Sequence, residues 1–482
     1  MDIMTQAADH GEIAPPAEGK GQWADLLAPR YAMTTSMLCL GVALYAFNGF
    51  LVTTSLPTAV EEFGGAALIS WALTLYLAAS IVAGASAALL KQALGGKATL
   101  LLAALLFLAG TLIAGLAENM ATVLLGRILQ GIGEGIVAAV CYALIPEMYP
   151  EKLIAKVFGA EAGVWAVAAF GAPVLAGWLT ETISWRAAFL INVPMILIFL
   201  ALALVIAPRR AGGPRPAFRL PGLRLTLLSL GLLAILFAGV SGPLSAALLS
   251  AVAAVLLIAT ILFDKRAEES IMPAEAFSLR SPVGLGLWVV LMMPVAQATS
   301  GVYLVYGLQH VWSLSPTAAG ALYALMAISW STTAILVANI KLKQHTDRLI
   351  WLGPLCQIFG LGLLFSAFAS GELAPVFAGQ LVIGAGFGMS WAYLSKMTME
   401  ETPLAERDKT SALLPTLQSA GFALGGGLAG LAANSAGLAG ADTPAAIRHA
   451  LTIVFLIALL WSLPAVFAAR QALAKTKLRA NE

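Results

Sequence analysis

The sequence predicts an all-α, polytopic membrane protein whose transmembrane helices follow a 6+2+6 plan. Three observations carry that prediction. Of 482 residues, 60% are hydrophobic and only 11% are charged, against about 25% charged in an ordinary soluble domain. A chain so poor in charge cannot cover a water-facing surface, so its apolar side chains must face lipid as well as core. The apolar residues also come in runs of about twenty, rich in Leu, Ala, Gly and Val, without the alternation of barrel strands. Finally, nearly all of the 27 Lys and Arg fall between those runs and on alternate loops.

Residues 1–29 form a polar tail that includes Glu12, Pro15, Pro16, Glu18 and Lys20. It lacks the apolar core of a cleavable signal and reads as cytosolic. Fourteen runs follow, at 31–53, 68–90, 98–116, 121–146, 154–178, 187–207, 222–240, 243–263, 283–306, 316–340, 349–369, 374–396, 410–434 and 448–468. Residues 30–207 make a first six-helix bundle, and 208–281 hold two linkers around an extra helix pair. Residues 282–469 make a second six-helix bundle, and 470–482 a closing cytosolic tail. An even number of crossings places both termini on one side. The positive-inside rule makes that side the cytosol, here of a bacterial inner membrane, with basic clusters at Arg209, Arg210, Arg215, Arg219 and Arg224 and at Lys265, Arg266 and Arg280. The extra pair carries little beyond Ser and Thr and reads as a lipid-facing packing element. Two six-helix halves about a central site are the plan of an alternating-access transporter.

Catalytic and metal chemistry find no support. Cys39, Cys141 and Cys356 all lie inside runs, and His10, His310, His345 and His449 lie in the tail or near loops. The chain has no GxxxxGK[ST], no HExxH and no Cys/His ligand spacing. The expectation is a protein that is not an enzyme, with no cofactor, no metal and no nucleic-acid partner, energised by a proton gradient.

Charges inside a bilayer cost about 2.5–3.5 kcal/mol each, so Arg127, Glu134 and Glu161 call for an explanation. Arg127, Gln130 and Glu134 are spaced i, i+3, i+7 and share one stripe of the fourth run. Glu161 lies about two turns into the antiparallel fifth run. Face-to-face packing would set the two carboxylates at similar depth. Buried carboxylates that take up and release protons are what coupling to a gradient requires. The alternative is a structural ion pair between Arg127 and Glu134, with Glu161 facing headgroups. Gly131, Gly133 and Gly135 permit close helix approach and by themselves identify no substrate.

The second half has polar residues but no buried acid: Gln297, Tyr303 and Tyr306 in the ninth run, Trp391 and Tyr393 in the twelfth, Gln418 in the thirteenth. With Trp71 and Tyr76 of the second run and Trp165 of the fifth, they could line an aromatic cavity, acidic on one side. Such a wall suits a small amphipathic organic substrate.

At these residues the sequence resembles the major facilitator superfamily, and within it the fourteen-helix drug:proton antiporter family 2. LLGRILQGIGEG is similar to the family's RxxQGxG pattern, with Arg127, Gln130, Gly131 and Gly133 in place. GAPVLAGWL, with Gly171, Pro173 and Gly177, resembles the antiporter motif GPxxGG, and SWRAAFLINVP the segment that follows it. The resemblance implies the major facilitator fold, proton transfer involving Arg127, and export rather than import. Two departures stand out. FNGFLVTTSLP places Asn48 where the family carries an acid, and LLKQALGGK departs from the GxLADRxGRR loop that latches the halves. Glu134 stands where the family has a small residue. Loss of one acid beside gain of another suggests that proton binding has moved to Glu134, with Glu161.

The expected function is proton-coupled export of amphipathic organic compounds by a protein working as a monomer. Export or flipping of one endogenous metabolite, siderophore or lipid is the alternative. A non-transporting receptor or assembly factor on a transporter fold is a second.

Overall fold

The computed structural model describes residues 22–208, 222–267, 270, 272–338, 340 and 342–479. Most of the predicted amino-terminal tail and the cluster Arg209 to Arg219 lie outside the described residues. Fourteen helical rods cover the fourteen runs. In chain order they are α1 (Ala32–Phe63), α2 (Ile69–Leu94), α3 (Gly96–Gly115), α4 (Met120–Met148), α5 (Glu151–Thr182), α6 (Trp185–Ile206, interrupted at Ile191), α7 (Gly222–Gly239) and α8 (Pro243–Lys265). They continue as α9 (Pro282–His310), α10 (Pro316–Val337), α11 (Lys343–Ser370), α12 (Ala374–Glu400), α13 (Arg407–Ser435) and α14 (Pro444–Arg479). Among the described residues, 12 helices are long and apolar enough to cross a membrane. The other two rods, α12 and α13, are diluted by Gly, Ser and Gln and are shielded by neighbouring helices, so they need less apolar surface.

Local chemistry sets the ends of the rods. The Asn119 side chain accepts from Thr122 N at 2.9 Å to start α4. Ser281 and Ser315, each followed by Pro, cap α9 and α10 in the same way. Gly64 and Gly371, at φ +64 and +82, stop α1 and α11 in the left-handed region that glycine tolerates.

The two six-helix halves repeat one packing plan. In the first, α4 packs on α2 and α3, and α1 on α5; in the second, α12 packs on α10 and α11, and α9 on α13. Glycines enforce the likeness. Cβ atoms on Gly131 and Gly135 would lie 2.3 Å from the Tyr76 and Ser80 carbonyl oxygens, and on Gly384 and Gly388 2.1 and 2.3 Å from those of Met326 and Trp330. The halves meet along two seams, α5 with α10 and α2 with α13. Parallel repeats of this kind are related by an axis along the membrane normal.

Described bonds between the halves gather at mid-bundle and at the distal end, away from the start of α1. There Glu181 Oε1 accepts from Thr317 N at 2.6 Å, Asn434 Nδ2 donates to the Ala67 carbonyl at 2.9 Å, and His310 Nε2 lies 2.8 Å from Glu61 Oε1. Among the described residues, the opposite end carries ties that stay within the first half or join the second linker to the end of α14. Lys91 pairs with Glu147, Lys97 bonds the Leu204 carbonyl, and Arg479 pairs with Glu275. The loop between α2 and α3 is thus tied to the carboxyl ends of α4 and α6. The extra pair is held by an ion pair between Arg224 and buried Asp264, and α7 lies across the α2–α13 seam, with Trp71 edge-on to Phe237 at 5.0 Å.

Candidate functional site

The glycines of α4 bring its backbone onto α2 and α3, and the face between these contacts carries Arg127, Gln130 and Glu134 into the interior. All three are at most 1% exposed, as is Asn48 on α1. They form one continuous network. Arg127 donates from Nε to the Ala72 carbonyl at 3.1 Å and from Nη1 to Gln130 Oε1 at 2.7 Å, and its guanidinium lies 3.9 Å from the centre of the Tyr76 ring. Gln130 Nε2 donates to Thr111 Oγ1 at 3.0 Å and to Asn48 Oδ1 at 3.3 Å. Asn48 Nδ2 then donates to Glu134 Oε2 at 3.1 Å. Asn192 supports the relay from α6 by donating to Asn48 Oδ1 at 3.5 Å.

Arg127 and Glu134 are therefore joined through two side-chain amides instead of a direct ion pair. Each amide accepts toward the guanidinium and donates toward the carboxylate, so all the dipoles point the same way. Glu134 Oε1 has no hydrogen-bond partner and lies close to the Tyr76 hydroxyl, which has none either. A buried guanidinium needs a compensating charge, and Glu134 is the carboxylate within its electrostatic reach. Proton binding at Glu134 would remove that compensation. The amide of Asn48 on α1 and the acid of Glu134 on α4, which the sequence resemblance marks as two separate departures, are thus joined by a single hydrogen bond.

Glu161 requires a correction. It is 2% exposed with both oxygens unpartnered, but it does not join Glu134. Its electrostatic neighbours are Cys39, Cys141, Tyr142 and Tyr149. Cys141 lies seven residues beyond Glu134 on α4, about 10 Å along the axis at 1.5 Å per residue. The cause is packing, since α5 lies chiefly against α1 and α10 and barely meets α4. The two acids belong to separate levels of the bundle.

The predicted aromatic wall is also divided. Tyr76 stays near Glu134, and between it and Trp165 stands Tyr45, unremarked in the sequence. Its ring lies 6.3 Å from Tyr76 and 5.7 Å, edge-on, from Trp165, within electrostatic reach of Glu134. Arg127 also lines a cavity of about 10 Å³ with Thr53, Leu73, Gly301 and Val302, room for about one water. That cavity places the network on the contact between the halves.

A model of the major facilitator superfamily matches residues 38–374. The chain belongs to the major facilitator superfamily. It is 30% identical over 439 residues to a probable multidrug-efflux transporter of Mycobacterium tuberculosis, covering 87% of this chain and 91% of that one. It is 24% identical over 375 residues to the multidrug transporter protein MdtP of Bacillus subtilis, covering 75% and 68%. Among solved structures, the POT family transporter PepTSo is similar with a TM-score of 0.67 at 12% identity, covering 93% and 98%. A bacterial homologue of the human lysosomal transporter Spinster, inward-facing and unoccupied, gives 0.63 at 14%, also covering 93% and 98%.

The remaining predicted residues of this major facilitator take other places. Trp71 turns onto α7, and Tyr393 donates to the Val337 and Ile340 carbonyls, closing the carboxyl end of α10. Trp391 packs with Trp330 and Phe387 inside the second half, and Gln297 Nε2 contacts Met326 Sδ at 3.2 Å. Tyr303 is buried in a π-helical turn, Ser300–Leu304, and Tyr306 stacks on His310 at 4.0 Å near the distal end. Gln418 is half-buried on α13. The antiporter-motif residues lie on the α5–α10 seam. A Cβ on Gly177 would lie 2.4 Å from Thr317 Cα, and the Pro173 carbonyl meets Gly320 as closely, whereas a Cβ on Gly171 would meet nothing within 4 Å.

Proposed function

We propose that this major facilitator is a proton-coupled exporter of amphipathic organic compounds, in which Glu134 binds the transported proton. The observation that carries this reading is the bond from Asn48 to Glu134, which sets a titratable group on the spot that the loss of an acid on α1 would leave without one. The efflux relatives support export, and the aromatic group Tyr45, Tyr76 and Trp165 beside a carboxylate supports an amphipathic substrate. With both termini in the cytosol of a bacterium, the distal seal faces outward. Arg127 holds Glu134 ionised until substrate release and proton entry exchange. Glu161, at its separate level nearer the terminal end, is a second proton acceptor on the path from the cytosol. The protein acts as a monomer, and the extra α7–α8 pair, with α7 lying across the α2–α13 seam, supports membership of the fourteen-helix antiporter branch.

The test is uptake of ethidium or tetraphenylphosphonium into everted proteoliposomes under an imposed pH gradient. Glu134→Gln should abolish gradient-driven uptake while leaving dye binding measurable. Unchanged uptake in that variant removes Glu134 from the mechanism.

A further inference from the structure

The distal seal contains a group that the transport network does not use. His310 is the last residue of α9, with its side chain 13% exposed, and it joins the second half to Glu61 of α1 in the first. Its ring stacks on Tyr306 at 4.0 Å. Nδ1 lies 2.8 Å from the Tyr306 carbonyl oxygen, and Nε2 lies 2.8 Å from Glu61 Oε1. A carbonyl oxygen only accepts, and so does an ionised carboxylate. A neutral imidazole has one N–H and can satisfy one of these contacts. Satisfying both requires an imidazolium, or a neutral imidazole beside a protonated Glu61. In either case the sealed contact holds one proton more than the separated groups hold at neutral pH.

We infer that the His310–Glu61 contact is a proton-binding gate: sealing the distal end takes up one proton from the solution on that side. Glu61 is 56% exposed, so the proton has a direct route from water. The other facing groups do not supply the charge. Glu62 of α1 is engaged by Arg186 and Trp185, and Glu181 of α5 accepts from Thr317 N on α10. Tyr323 on α10, Glu372 just after α11, and Arg448 and His449 on α14 are further titratable groups of the elements packed there, and among the described residues none of them forms an ion pair with His310. The inference does not require Glu134 to bind a proton, because the gate is a contact between the halves themselves.

One extra proton in the sealed form means that the sealed-to-open ratio rises by up to about tenfold for each unit fall in pH. The test is hydrogen exchange by mass spectrometry on the full chain in nanodiscs, following segments 54–68 and 305–320 between about pH 5.5 and about pH 8. Rates are normalised to those of the unfolded peptides at the same pH. In the wild type, protection of both segments should fall as pH rises. His310→Lys, a fixed cation, should keep them protected throughout. Glu61→Gln should also flatten the profile, because its amide can donate to a neutral imidazole. Glu134→Gln should keep the wild-type slope, which separates this gate from the transport site. A flat wild-type profile, or a wild-type slope in His310→Gln, overturns the inference.

Discussion

Asn48 and Glu134 meet across a single hydrogen bond in the interior of the first half. The amide cannot titrate, but it donates at 3.1 Å and fixes one carboxylate oxygen while leaving the other unbonded. Because the two side chains face each other across a single hydrogen bond, exchanging their chemistry should keep the geometry. Asn48→Asp combined with Glu134→Gln is therefore expected to recover gradient-driven dye uptake that Glu134→Gln alone loses, measured in the same proteoliposomes. Asn48→Asp alone sets two carboxyls against each other, and such pairs share a proton. Its uptake should become dependent on pH over a range where the wild type is flat. No recovery in the double variant would mean that the depth of the acid, and not its presence, decides the coupling.

Helix α5 shows how one element can be legible in one respect and misleading in another. Its motif glycines were visible in the sequence, and the structure separates their roles: Gly177 is pressed against Thr317 across the seam, whereas Gly171 is open. Overpacking of a tight contact costs about 1–3 kcal/mol. Gly177→Val should shift the balance from sealed to open by that amount, read as lost protection at the distal helix ends, while Gly171→Ala should leave it unchanged. The facing of α5, by contrast, was not legible. In an almost wholly apolar run no face is marked by polarity, so Glu161 could be assigned to a run but not to a neighbour. Arg127, Gln130 and Glu134 were legible because their polarity marks one stripe on α4. Asn192 and Tyr45 gave no such signal, since each is a single group whose relevance depends on which helix lies opposite. The gate was missed for the same reason: His310 and Glu61 lie in separate halves and only the fold brings them together.

For the whole molecule, the 6+2+6 order was readable from run lengths and loop charge, while the position of the extra pair was not. Helix α7 packs against α2 of one half and α13 of the other, with Ile235 and Leu236 near Gly427 and the end of the helix at Leu431. The pair depends on Asp264, 1% exposed, and its partner Arg224. Breaking a buried pair by removing one partner costs about 3–5 kcal/mol. Asp264→Ala is expected to lower the melting temperature in detergent, and the first exchange to appear should be in 222–239. If the loss appears evenly across the chain, α7 is not a separate unit of stability. The arrangement also breaks the symmetry between the two seams. One is roofed by a helix that faces lipid, and the other, between α5 and α10, is bare, with Val167, Phe170, Ile335 and Leu336 exposed. Lipid chains therefore lie directly against the α5–α10 seam, whereas at the α2–α13 seam they meet α7 first, so a change in bilayer thickness or packing acts on the two seams unequally.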